Sequence, residues 1–156
     1  MAKGKVSPEL IEQFKQIVGE KYVYTDKDKL EPYSHDEVTD PHYMKEPQVV
    51  VLPATTEEVS KVVKLCYEND TVMVPRAAGT GLAAGAVATF GGVIISIERM
   101  NKILEIDKDN MVCVSEAGVT TSVLQEAVQK EGLFYGGDPC SGDSCFISGN
   151  VATNAG

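Results

Sequence analysis

The run Pro75-Arg76-Ala77-Ala78-Gly79-Thr80-Gly81-Leu82-Ala83-Ala84-Gly85 carries almost no side chain. Backbone N–H groups in such a stretch can turn together toward one anion, because few Cβ atoms hold the guest away. Thr80 adds a hydroxyl donor and Arg76 a fixed positive charge, so a diphosphate is the guest this chemistry suits. The same residues also suit a small-residue turn packed against a neighbouring element, and the pattern leaves both readings open. Two common nucleotide loops do not fit. A P-loop needs Gly-Lys-Ser/Thr entering a helix, and no lysine lies between Arg76 and Gly92. A Rossmann fingerprint needs a helix after its glycines, whereas Ala83–Gly92 leads into another strand pattern.

A second small-residue region reads Asp138-Pro139-Cys140-Ser141-Gly142-Asp143-Ser144-Cys145, followed by Phe146-Ile147-Ser148-Gly149-Asn150-Val151-Ala152-Thr153-Asn154-Ala155-Gly156. Its amide and hydroxyl groups suit the polar edge of a heterocycle. Phe146, Ile147 and Val151 are the apolar anchors that a disordered tail lacks. Cys140 and Cys145 have the wrong spacing for a zinc knuckle or a redox pair, and no second pair completes a metal site, so they read as loop thiols. An iron-sulfur site would need further ligands. Cys66 and Cys113 fall in helix and strand patterns and read as small buried thiols. His35 and His42 sit in a polar stretch and read as solvated.

The elements that position these loops follow from periodicity and punctuation. Ser7-Pro8-Glu9 caps a helix carrying Leu10, Ile11, Phe14, Ile17 and Val18, and Gly19 stops it. Residues 22–45 read as irregular. Gln48–Pro53 is a buried-strand pattern. Thr55 or Thr56 then caps a helix whose apolar face is Val59, Val62, Val63, Cys66 and Tyr67, ended by Asn69-Asp70. Val72–Val74 is the next strand, which makes residues 48–75 a β-α-β unit with parallel strands. Further strands are expected at Val93–Ile97, Ile103–Ile106 and Met111–Glu116. A helix is expected over Thr121–Glu131, closed by Gly132, and residues 133–156 read as loop-rich. The class is α+β with α/β-like units, divided into a lead-in over 1–45 and a domain over 46–156.

Composition narrows the function. With 14 Lys or Arg against 23 Asp or Glu, the net charge is 14 − 23 = −9, which argues against a nucleic-acid or anionic-membrane surface. No apolar run approaches the ~20 residues of a membrane span. The basic start, MAKGKVSPEL, leads into a hydrophilic helix rather than a signal-peptide core, so the cytoplasm is the expected compartment.

Taken together, PRAAGTGLAAGA resembles the phosphate-binding segment of FAD-linked oxidases of the vanillyl-alcohol-oxidase and p-cresol-methylhydroxylase type. ISGNVATNAG resembles the second FAD-contacting segment of that superfamily, and VVVLPATTEEVSKVVKLCYEND the strand–helix unit before the first. The branch it is most similar to is the glycolate oxidase GlcD-type subunit and the D-lactate dehydrogenases, over residues 31–156. The resemblance implies the first subdomain of an FAD-binding domain, built of short β-α-β units, with part of the second. It implies that Arg76, Ala77, Ala78, Gly79, Thr80, Gly81 and Leu82 wrap the FAD diphosphate, with Gly79, Thr80 and Gly81 closest. Asp138, Pro139 and Ser141 would pass near the flavin, and Gly149, Asn150, Ala152 and Thr153 would meet the diphosphate and isoalloxazine edge. Thr80 stands where some relatives attach flavin through histidine, which implies non-covalent FAD. Ala77 and Ala84 replace the usual Gly, and Ser148 departs from Gly-Gly-Asn; weakened binding is expected from each added Cβ.

The implied activity is that of a flavin-dependent 2-hydroxy acid dehydrogenase, passing a hydride from substrate to FAD and electrons to an iron-sulfur subunit or an electron-transferring flavoprotein. The chain reads as an N-terminal fragment of such an enzyme, inactive alone, with no catalytic residue assignable within it. Exposed apolar surface and self-association are expected of such a piece. A flavin-free module of the same fold, acting as a structural or partner-binding subunit, is the second reading. A phosphate- or nucleotide-binding domain unrelated to flavin is the third.

Overall fold

A computed structural model describes residues 5–155; Met1–Gly4 of the basic start and Gly156 of the second small-residue segment lie outside the described residues. Helix α1 spans Pro8–Val18, with the Ser7 hydroxyl accepting from the Leu10 N–H at 3.2 Å, and buries Leu10, Phe14 and Val18. Helix α3 spans Thr56–Glu68, capped by the Thr55 hydroxyl, which accepts from the Glu58 N–H at 3.1 Å. Its buried residues are Val62 and Cys66. Tyr67 is 80% exposed and does not belong to the apolar face expected from the pattern. It is adjacent to Cys66, about 100° round the helix, and so turns away from the sheet.

Residues 22–45 are more ordered than their composition suggests. They contain β1 (Val23–Tyr24) and the short helix α2 (Lys27–Leu30), with single 3-10 turns over Glu31–Tyr33 and Pro41–Tyr43. Strand β1 pairs antiparallel with β2 (Val49–Val51). Strands β3 (Met73–Arg76) and β4 (Val93–Ser96) complete a four-stranded sheet in the order β1-β2-β4-β3. The β2-α3-β3 unit therefore has parallel strands, yet they are not neighbours, because β4 lies between them and pairs parallel with both.

Alternation along β2 sorts the two faces of the sheet. Val49 and Val51 join Phe14, Val62, Cys66 and Ile95 beneath α1 and α3. Val50 and Leu52 join Leu30, Ala88 and Ile94 on the other face, with Tyr24 and Tyr33 beside them. The lead-in thus shares both cores with the sheet. A separate antiparallel pair, β5 (Ile103–Asp107) and β6 (Val112–Ser115), packs Ile103, Ile106 and Cys113 against α4 (Thr121–Lys130). The loop-rich stretch after α4 ends in a further helix, α5 (Ile147–Thr153). Val151, read as an apolar anchor, is 74% exposed on it, while Ile147 packs against the Val119–Leu124–Val128 cluster. The fold is α+β, with parallel and antiparallel pairing.

Candidate functional site

The first small-residue loop leaves the sheet at the carboxyl end of β3. Arg76 is the last residue in register, opposite Ser96, and its side chain is 7% exposed. Nη1 donates to the His35 carbonyl at 2.9 Å and the Ala86 carbonyl at 3.2 Å, and Nη2 donates to the Pro32 carbonyl at 3.2 Å. Burial pulls the guanidinium below its ordinary range, opposed by Tyr33, Asp36 and Glu98. The charge that the sequence offered for an anion is thus directed to three carbonyls. It clips the lead-in to both ends of the loop. Tyr33 belongs to the same cluster, its hydroxyl donating to Glu98 at 3.2 Å. Burial and the Glu98 charge push that phenol well above its usual range.

Past Arg76 the backbone donors stand free. Among the described residues, no N–H from Ala77 through Leu82 donates to a backbone carbonyl or to a side chain. Ala77 to Thr80 are half-buried, and Gly81 and Leu82 are exposed. None of these donors is taken up within the chain, and the side chains beside them are small, so the row can turn to an acceptor from outside it. Gly79 is required where it stands: its φ is +76°, and a Cβ would overlap Nη2 of Arg76 and lie 2.6 Å from Cζ. Of the three departures noted in the sequence, only Ala84 sits at positive φ, +54°.

Asp36 lies under this loop, and sequence reasoning missed it. It is 6% exposed; Oδ1 accepts from the Val38 N–H at 3.0 Å, while Oδ2 is buried without a partner. Oδ2 is 3.9 Å from where a Cβ on Gly81 would stand. The Glu37 N–H donates to the Gly81 carbonyl at 3.0 Å and ties the two segments together. Nothing in a polar run such as Tyr33-Ser34-His35-Asp36-Glu37 signals which carboxylate is buried.

The second segment meets the first where Gly149 faces Ala77. A Cβ on Gly149 would lie 3.3 Å from the Ala77 Cβ, so α5 and the loop touch through small residues. Ala77 fills the space beside Gly149. The Ile147 N–H donates to Val119 O at 2.9 Å and the Ser148 N–H to Ala117 O at 3.3 Å, which holds the start of α5 to the turn before α4. Asn150 is buried, its Nδ2 donating to the Thr121 hydroxyl at 2.6 Å. That hydroxyl in turn donates to the Cys145 carbonyl at 3.3 Å. The Asn150 amide therefore anchors α5 from within. Ala152 and Thr153 are exposed, the Thr153 hydroxyl donating to Gly149 O at 2.8 Å. Asp138 is exposed, and Pro139 and Ser141 are half-buried in turns closed by the Gly142 and Cys145 N–H groups. Among the described residues, no hydrogen bond joins these three to the first loop.

Against known proteins, the family described as FAD binding domain matches residues 47–156. The chain is 45% identical over 155 residues to a D-lactate dehydrogenase of Anaerostipes hadrus, covering 98% of the chain and 32% of that protein. It is 39% identical over 124 residues to the glycolate oxidase subunit GlcD of Bacillus subtilis, covering 80% of the chain and 26% of that subunit. The chain thus spans about a third or less of the length of these relatives. Among solved structures it superposes on p-cresol methylhydroxylase with a TM-score of 0.71 and 27% identity, covering 80% of the chain and 25% of that one.

Proposed function

The chain belongs to the FAD binding domain family, and on that premise we propose that it is the FAD-holding part of a flavin-dependent enzyme that oxidises a small 2-hydroxy acid of the lactate or glycolate kind. The observation that carries this reading is the row of free backbone N–H groups from Ala77 to Leu82. A diphosphate needs several donors at close range, and this stretch has them without bulky side chains in the way. From Ala77 to Glu98 there is no Lys or Arg, so backbone dipoles supply the attraction in a chain of net charge −9.

Ala77, Ala78, Gly79, Thr80, Gly81 and Leu82 hold the diphosphate, with Gly79, Thr80 and Gly81 nearest. Arg76 contributes by shaping the loop through its three carbonyl partners. Gly149, Asn150, Ala152 and Thr153 approach the diphosphate and the isoalloxazine edge, Asn150 by fixing α5 rather than by its amide. Asp138, Pro139 and Ser141 pass near the flavin. Thr80 offers no nucleophile of the histidine type, which supports non-covalent binding. The bound flavin supplies the hydride-accepting chemistry, and these residues bind and orient it. We assign no catalytic residue within the chain.

In the whole protein, electrons pass to an iron-sulfur subunit or an electron-transferring flavoprotein. The net charge of −9 supports steering toward a basic patch on either. No helix among the described residues is long and apolar enough to cross a membrane, and the cytoplasm is the compartment we propose. Within the chain, residues 1–45 form the N-terminal helix and lead-in, and 46–156 form part of the FAD-binding domain. The test is a titration of the chain with FAD followed by quenching of flavin fluorescence. Saturable binding that is lost in Thr80→Arg is expected; no saturable quenching by the unaltered chain overturns the reading.

A further inference from the structure

Asp36 has no part in the site as proposed so far, yet its carboxylate is placed as a ligand-binding group would be. Among the described residues its Oδ2 is the one buried side-chain oxygen or nitrogen with no hydrogen-bond partner. No Lys, Arg or His lies within ion-pair distance of it among the described residues. A buried acceptor left unpaired is unfavourable, and native proteins keep few such groups.

The carboxylate is also held in place. Oδ1 accepts from the Val38 N–H, Arg76 bonds the carbonyl of His35 before it, and Glu37 after it bonds Gly81. Oδ2 therefore stays 3.9 Å from the Cβ position that Gly81 leaves open, beneath the loop whose N–H groups have no partner within the chain.

The chemistry of the two groups is complementary. N–H groups of the loop match phosphate oxygens. A carboxylate oxygen repels phosphate and requires a donor, which a diphosphate at neutral pH does not have. In a flavin dinucleotide the O–H donors next to the diphosphate are sugar hydroxyls, of the ribityl chain on one side and the adenosine ribose on the other. We infer that Asp36 is a cofactor-binding residue whose Oδ2 accepts a hydrogen bond from a sugar hydroxyl of the dinucleotide seated on the Ala77–Leu82 loop. This rests on the reading of that loop as an FAD site.

The test is a set of binding titrations with FAD, FAD lacking the ribose hydroxyls, and FAD lacking the ribityl hydroxyls, each against the unaltered chain and Asp36→Asn. Asn keeps an acceptor for the Val38 N–H and removes the charge. With FAD, Asp36→Asn is expected to bind at least about tenfold more weakly, the scale of a hydrogen bond to a charged group. One deoxy analogue should show that same loss with the unaltered chain and no further loss with Asp36→Asn, and it identifies the sugar. An Asp36→Asn effect of equal size on all three ligands makes the residue a support of the loop and overturns the inference. So does no effect on any. An effect that vanishes in chelator assigns Oδ2 to a bridging cation instead, and also overturns it.

Failure of the unaltered chain to bind FAD removes the site reading itself, a result distinct from those. Should Asp36→Asn not fold, the carboxyl carbon-13 signal of Asp36 in the unaltered chain decides. It should shift with FAD and with only one of the two analogues, and an equal shift with all three ligands refutes the hydroxyl contact.

Discussion

Replacing Gly79 with Ala is expected to destabilise the fold by about 2–4 kcal/mol. Two contributions add. The backbone sits at φ +76°, where a residue with a Cβ is disfavoured by ~1–2 kcal/mol, less ~0.4–1 kcal/mol from the stiffer unfolded chain. The new methyl would also lie 2.6 Å from Cζ of Arg76. An exposed arginine would swing aside at little cost. This one is 7% exposed and bonded to the carbonyls of Pro32, His35 and Ala86, so moving it breaks at least one of those bonds. A hydrogen bond to a charged group is worth ~1.5–3 kcal/mol. At ~2–4 °C per kcal/mol for a chain of this size, the melting temperature should fall by roughly 5–15 °C. Gly85→Ala in the same loop is the control, since it has ordinary φ and nothing within 4 Å of its Cβ position. Thermal melts followed by circular dichroism compare the two. Equal melting temperatures for Gly79→Ala and Gly85→Ala would refute the reasoning.

Arg76→Lys replaces a fork by a single ammonium that cannot serve the carbonyls of Pro32, His35 and Ala86 together, so hydrogen exchange at the bonded amides of Ser34, Glu37 and Val87 should quicken ahead of the rest; unchanged protection there contradicts the clip. Ala84→Gly relieves a residue at φ +54°, and the change should be neutral to stabilising, up to ~1 kcal/mol by chemical denaturation. Thr121→Val leaves the buried Asn150 Nδ2 without its acceptor, a loss of about 1–3 kcal/mol in the same assay. Burial pushes the Cys66 thiol up from 9.0 to about 11, so its contribution is complete below pH 9 and disappears as the pH climbs toward 11. The denaturation midpoint should fall over that window, and less steeply in Cys66→Ala.

The parts of this fold that are legible in the sequence are those set by neighbours in the chain. Ser7 and Thr55 cap their helices because the N–H they serve is three residues on, and the small residues of the loop announce themselves by composition. Strand β1 is not legible, because two residues become a strand only by pairing with β2. The insertion of β4 between β2 and β3 is a long-range choice that β-α-β spacing does not encode. The same limit applies in the site. Arg76 looks like a charge for an anion until its carbonyl partners, some forty residues earlier, are seen. Asn150 gives its amide N–H to Thr121, a partner 29 residues earlier that local spacing does not reveal. Asp36 is one carboxylate among many until its burial sets it apart.

The free N–H row from Ala77 to Leu82 is the centre of the account, and its amides can be watched directly. A nitrogen-15-labelled chain titrated with FAD should show its largest amide shifts at Ala77 to Leu82, with smaller ones around Gly149. Saturable binding with shifts centred elsewhere, and those six amides unmoved, would contradict it.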